Sequence, residues 1–471
     1  MVAPARSFSR IALALTAAAS MLISPVAAVA QAGNGEYLIR DTEIEDILRK
    51  DAMPLFKAAG LNADHIQIIL VGSRPDDPNA FAAPGVMGVT TALILESKNP
   101  NELQGVMAHE VGHLAAGHSA RSGEMTRAGM VPFLLTMGLG VLAAAAGSGD
   151  AAAGLAGSAS YFGALGAIGY SREQEGRADQ AGATILEKAG LSGRGLAEFF
   201  NNFRYQEVFS EYRRYRYFID HPLSSDRIDS LASRVAAMPH YRQVDSPQAM
   251  AEHEIMKAKL QGFLQPQVAI VKYAETDKSF PARYARAIAY YQMKEPDKAL
   301  RLIEPLIAEH PDNPYLYELK GQILFEYGRA AEAEAPQRKS VELKPDAPLL
   351  HINLGQTLIA LNDKAKLDEG IAELKKALAQ EDDNADGWRI LAEAYDKEHQ
   401  DGLARLATAE YEYAIGDQRQ ALVFAMRARE RLPKNSPEWR RATDIVLVSK
   451  PTKEDLKDLA REGSIARSQV N

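Results

Sequence analysis

The sequence predicts an α+β domain with a small sheet, followed by an all-α solenoid of helical repeats. Short apolar, strand-like runs before residue 100 give way to helical patterning. Beyond residue 247 the chain reads as nearly all helix, with small residues recurring at intervals of 34, 34 and 37 positions. The length of 471 residues agrees with more than one domain, because single cores stop growing at roughly 250–300. A hydrophobic content of 46% with 25% charged residues excludes wholesale disorder. The absence of cysteine excludes a disulfide scaffold, thiolate metal sites and thiol catalysis. A net charge of −8 argues against a nucleic-acid partner, which needs a basic face.

Residues 1–30 read as a signal peptide. Arg6 and Arg10 form its positive region, and Ile11 to Ile23 its apolar region. Ala28-Val29-Ala30 is an A-x-A site, so cleavage is expected after Ala30. The apolar run is too short to span a bilayer. An exported chain without cysteine suits the periplasm.

The domain expected over 31–245 opens with an amphipathic helix at 41–60, stopped by Gly60. Residues 66–71 read as a strand, and 79–95 as short strands broken at Pro84-Gly85. Helical patterning starts at Asn101 and resumes from Ser171 to about Arg234. Connecting helices are expected over 246–279, repeats over 280–435, and a C-terminal helix and tail over 436–471.

In the repeats, Ala287, Gly321, Gly355 and Ala392 form one series of small residues. Ala299, Ala333, Gly370 and Ala421 form a second, and Pro311, Pro345, Asp382 and Pro433 close the units. Small residues let paired helices cross closely. This pattern resembles tetratricopeptide repeats, with Trp388, Leu391 and Tyr395 at matching helix positions. It departs at an insertion near Lys364 and at Pro336, where a kink is expected.

Residues 106–118 read VMAHEVGHLAAGH. His109 and His113 are i, i+4, so both imidazoles share one helix face and can grip one Zn²⁺. Glu110 is turned about 100° away. It cannot chelate with them but can serve as general base, the division of labour of a metalloprotease. The apolar flanks indicate a buried helix, where two histidines and a glutamate without an ion would be costly. One zinc per chain is expected.

A third protein ligand is then needed. Ala116 and Ser119 exclude the metzincin extension, and His118 points about 180° from His109. The segment SREQEGRAD at 171–179 offers candidates. Glu175 and Asp179 share one face, while Glu173 lies on the other. Spacing alone leaves Glu175, Glu173 and Asp179 open.

H-E-x-x-H, then S-R-x-x-E-x-x-A-D at Ser171 to Asp179, then H-P-L-x-x-x-R at His221 to Arg227, resemble the gluzincin peptidases that include HtpX and the CAAX prenyl proteases. Asn79-Ala80-Phe81-Ala82 and Pro84-Gly85 look like that family's strands. Export signal, catalytic domain and repeats together are similar to the periplasmic protease–chaperones of the BepA type. The resemblance implies that Glu175 is the third ligand and Asp179 orients a ligand histidine. It implies outer-membrane proteins in assembly as substrates, and it places His221 at the metal, as a latch on the open position or as an oxyanion donor. Around Asn79, Phe81 and Ala82 an exposed strand edge is expected to bind substrate in extended form. The repeats are expected to recruit substrate or an envelope assembly complex, and association with the outer membrane fits that setting.

Residues 130–147 and 151–170 are almost uncharged and rich in Gly and Ala. A lid, or a surface leaning on the membrane, fits them better than a transmembrane hairpin. The competing functional class is a repeat-based adaptor or chaperone whose zinc site is latent or structural. An intact Glu110 favours the enzyme, since a structural site has no use for a base.

Overall fold

The computed structural model describes residues 37–83, 85–116, 172–204, 221 and 223–461. The signal peptide, His118 and the 130–170 segment lie outside the described residues. Two compact units meet in sequence between Glu295 and Pro296.

The first unit contains a four-stranded sheet. Its strands are β1 (Tyr37–Ile39), β2 (Gln67–Gly72), β3 (Ala80–Ala83) and β4 (Val86–Thr90), in the order β1-β2-β4-β3. β2 and β4 run parallel and the outer pairs antiparallel. Leu70, Met87 and Val89 are fully buried on the sheet. Gly85, at φ 83°, makes the tight turn between β3 and β4. Helix α1 (Thr42–Ala59) is capped by the Asp41 carboxylate and ends at Gly60, whose φ of 72° suits the left-handed stop.

The last part of the run expected as strand, 79–95, is instead helix α2 (Thr91–Glu96). The Thr90 hydroxyl accepts the Leu93 amide and caps it, which overrides the strand propensity of the run. Helix α3 (Pro100–Ala116) is buried from Pro100 to His113. Asn99 accepts the Glu102 amide at its start, with Pro100 in the first turn. Helix α4 covers 172–188, followed by α5 (Arg194–Asn202) and α6 (Ser225–Ala236). α3 packs on α1, α5 and β3.

Helices α7 (Pro247–Leu264), α8 (Pro266–Lys272) and α9 (Phe280–Gln292) complete this unit. α7 packs against α1, α2, α3 and α9. The buried Lys259 ammonium lies 2.8 Å from Asp41 Oδ1 and 3.0 Å from Glu43 Oε2. Tyr284 on α9 donates to the same Glu43 carboxylate at 3.1 Å. The stretch expected to connect domains therefore supplies part of this unit's core.

The second unit is helical throughout its described residues. It comprises α10 (Pro296–Glu309), α11 (Pro314–Glu326), α12 (Ala330–Leu343), α13 (Pro348–Ala360), α14 (Lys364–Leu378), α15 (Ala385–Lys397), α16 (Asp401–Ala414), α17 (Gln418–Arg429), α18 (Pro437–Val448) and α19 (Lys453–Arg461). α11 packs on α12, α13 on α14, and α15 on α16. A Cβ on Gly355 would stand 3.0 Å from the Gly370 carbonyl oxygen, so these two glycines set the α13–α14 approach. α12 runs through Pro336 as one helix. Ala392 and Ala421 do not face each other as a helix pair, because α16 lies between them in the chain. Ala409 on α16 and Ala421 on α17 are both fully buried, and those helices pack together.

Candidate metal centre

Three segments of the first unit converge. Helix α3 brings His109, Glu110 and His113, α4 brings Glu175 and Asp179, and the turn before α6 brings His221. All six are buried. His109, His113, Glu175 and His221 each offer a donor atom within 4.8 Å of the others. His109 Nε2 is 3.1 Å from His113 Nε2, 3.3 Å from Glu175 Oε2 and 3.4 Å from His221 Nδ1. Glu175 Oε1 is 3.3 Å from His113 Nε2, and Glu175 Oε2 is 3.1 Å from His221 Nδ1. A tetrahedral ion with metal–nitrogen bonds of about 2.0–2.1 Å needs donor–donor edges of roughly 3.3–3.4 Å. The donor set thus fits a divalent metal.

The local charge fits as well. Glu110, Glu175 and Asp179 are three buried carboxylates beside one buried guanidinium, Arg227. With neutral imidazoles the pocket is two charges short of balance, which a divalent cation supplies. The electrostatics show this appetite for positive charge. Burial alone would lower the His109 pKa, but Asp179 and Glu175 outweigh it and hold it up to about 10. Burial likewise opposes a charged His221, and Glu110 and Glu175 raise its pKa regardless. Glu175 is pushed up by burial, yet its contacts with His109, His113 and His221 hold it well below the usual carboxylate range. Burial also pushes Asp179 up, and His109 and Arg227 hold it down.

Around these groups the packing leaves little freedom. His109 Nδ1 is 3.1 Å from Asp179 Oδ1, and its ring meets Phe200 of α5 edge-on at 5.6 Å between centroids. A Cβ on Gly182 would lie 3.1 Å from the His109 amide nitrogen, so this glycine lets α4 approach the backbone of α3. The Asn101 side chain donates to the Ser192 carbonyl at 2.7 Å and accepts the Gly195 amide at 2.7 Å, pinning α3 to the start of α5.

Of the three acidic candidates on α4, Glu175 faces the histidines and Asp179 sits behind His109. Glu173 is exposed and pairs with Arg177 at 2.6 Å. Glu110 Oε1 is buried without a hydrogen-bond partner among the described residues, 3.6 Å from His221 Nε2. Asn79, Phe81 and Ala82 lie on and just before β3, the terminal strand of the sheet, which packs on α3. Phe81 is 37% exposed, and its ring lies over Gly88, where a Cβ would come within 2.2 Å of it. Asn79 is buried and its amide donates to the Thr90 hydroxyl at 2.8 Å. Sequence reasoning gave Arg227 and Phe200 no role. Arg227 was visible only as the last residue of the H-P-L-x-x-x-R pattern.

Residues 39–235, which contain all of these groups, match Peptidase family M48. Metalloprotease YcaL of Escherichia coli is 31% identical over 188 residues, covering 38% of this chain and 67% of that protein. The chain belongs to peptidase family M48. Residues 271–323 match the tetratricopeptide repeat. Longer matches are found with proteins named beta-barrel assembly-enhancing protease. The one from Yersinia pestis is 26% identical over 327 residues, covering 68% of this chain and 66% of its own length. The one from Escherichia coli is 25% identical over 368 residues, covering 76% and 73%. The match thus spans just under two thirds of the Yersinia protein. Among the described residues no helix is long and apolar enough to cross a membrane.

Proposed function

We propose that this protein is a zinc-dependent endopeptidase of the periplasm that cleaves misassembled or unfolded envelope proteins. Its repeats would bring it substrate or an envelope assembly complex, and a chaperone role would follow from the same capture. The observation that carries this reading is the buried donor set at ligand spacing, with Glu110 beside it on the same helix. The names of the relatives support the envelope setting.

His109, His113 and Glu175 would hold the ion, and Asp179 would keep the proton of His109 on Nδ1 so that Nε2 faces inward. When bound, zinc supplies a Lewis acid that activates water and polarises the scissile carbonyl. Glu110 takes the water's proton and returns it to the leaving amine. Its Oε1, without a hydrogen-bond partner among the described residues, suits a base that must change partners. Substrate would add to the free side of β3 in extended form. His221, whose Nδ1 stands at ligand distance from the other donors, is assigned as the latch that closes the fourth position at rest.

The test is the zinc content of purified protein together with casein cleavage by wild type and Glu110→Gln. One zinc per chain, with cleavage by the wild type alone, is expected. A metal-free, inactive wild type would leave the repeats as the functional part. For the recruitment role, a chain ending at Glu295 is expected to lose envelope partners in a pull-down. An unchanged partner set would contradict it.

A further inference from the structure

Arg227 on α6 is a buried cation that no step above uses. Its guanidinium forms a fork on Asp179, with Nε 2.8 Å from Oδ2 and Nη2 2.9 Å from Oδ1. The same Nη2 lies 3.3 Å from Glu175 Oε2. The guanidinium carbon stands 5.9 Å from the centre of the Phe200 ring. Each of these three neighbours touches the donor set. Asp179 meets His109 Nδ1, Phe200 meets the His109 ring edge, and Glu175 contributes its own oxygens. The Arg227 amide also donates to Ser224 Oγ, at the cap of the helix that follows the His221 turn.

We propose that Arg227 is the positioning residue of the metal centre, acting on His109 through Asp179 and Phe200 and on the carboxylate of Glu175 directly. The inference rests on the divalent-metal reading above. The physical basis is geometric. A carboxylate on a buried helix can rotate about its own bonds, and one hydrogen bond does not stop it. A two-point fork from a planar guanidinium does, because both oxygens are engaged in one plane. Asp179 so held keeps Oδ1 3.1 Å from His109 Nδ1, which limits the movement of the ring. Phe200, held between Arg227 and the imidazole, limits tilt in the other direction. A lysine at 227 would keep the charge but lose the fork.

The experiment uses the full-length protein and measures zinc affinity by competition with a chelator, together with thermal unfolding of the metal-free form. Arg227→Lys and Arg227→Gln are expected to weaken zinc binding about 10- to 100-fold, the usual cost of losing a partner behind a ligand. Asp179→Asn should weaken it comparably. The double variant Asp179→Asn/Arg227→Gln, which removes both members of the ion pair, should lose less than the product of the two single losses, because one route of Arg227 runs through Asp179. Wild-type affinity in Arg227→Lys and Arg227→Gln, even with earlier melting, would make Arg227 purely structural and overturn the inference while leaving the metal site standing. Losses that multiply in the double variant would also overturn it. A wild type that binds no zinc would overturn the metal reading and this inference with it.

Discussion

His221 Nδ1 lies 3.1 Å from Glu175 Oε2. On the other side of the ring, His221 Nε2 is 3.6 Å from Glu110 Oε1. The imidazole therefore stands between the expected ligand carboxylate and the expected base, where water and a substrate carbonyl would have to enter. Removing it opens that position. His221→Ala is expected to raise basal casein cleavage while zinc content stays near one per chain. A fall in kcat of about 10²–10³ would instead identify an oxyanion donor. Unchanged activity and zinc affinity would dismiss both roles.

Glu110→Gln keeps size and hydrogen-bonding capacity but cannot accept the proton. Cleavage is expected to fall by at least about 10²-fold, with zinc content and far-ultraviolet circular dichroism unchanged. Residual activity close to wild type, after controls for contaminating protease, would contradict the assignment of the base.

The two glutamates at the start of α4 separate the ligand from the bystander. Glu175→Ala removes a carboxylate that touches three histidines and is expected to lose most of the zinc. Glu173→Ala removes only an exposed pair with Arg177, worth ~0.5 kcal/mol or less, and should retain it. Metal analysis of the dialysed variants checks both, and the opposite ranking would overturn the choice of ligand.

Acid stability offers a test outside the site. Burial, with a smaller contribution from the nearby Lys257, pushes His253 down to about 4, while its bond to the Ser97 carbonyl works the other way. Between pH 6.5 and about 4 the unfolded chain therefore binds a proton that the folded chain refuses. Stability is predicted to fall as pH drops through this window, by up to about 3 kcal/mol. Denaturant unfolding at pH 7 and pH 4.5 should show a smaller difference in His253→Gln than in the wild type. Equal differences would remove His253 from the account.

How far the site is legible in the sequence depends on the distance between partners. His109, Glu110 and His113 share one helix, so their mutual geometry follows from helix periodicity. Glu175 and Glu173 differ only by which face of α4 is buried, and that depends on packing against α3 through Gly182, 73 residues beyond His109. Arg227 meets its carboxylate across 48 residues, a pairing that spacing does not reveal. In the fold, α2 was hidden inside a strand-like run because one hydroxyl, Thr90, decides for helix. In the repeats, the small-residue series places Ala421 after Gly370, although Ala404 stands twelve residues beyond Ala392, the interval that also separates Ala287 from Ala299.

The buried cluster of Asp41, Glu43, Lys259 and Tyr284 bears on the order in which this chain can fold. Lys259 reaches Asp41 across 218 residues, and Tyr284 reaches Glu43 across 241. Contacts of such separation form late, since the intervening chain must first be brought to order. All four donor residues lie inside that interval. A nascent chain would thus hold every metal-binding side chain well before its first helix finds its closing partners. Helices α7 and α9 set the moment at which this unit becomes complete, so a chain stalled before Lys259 would carry the donors of the centre without the contacts that shut the domain around them.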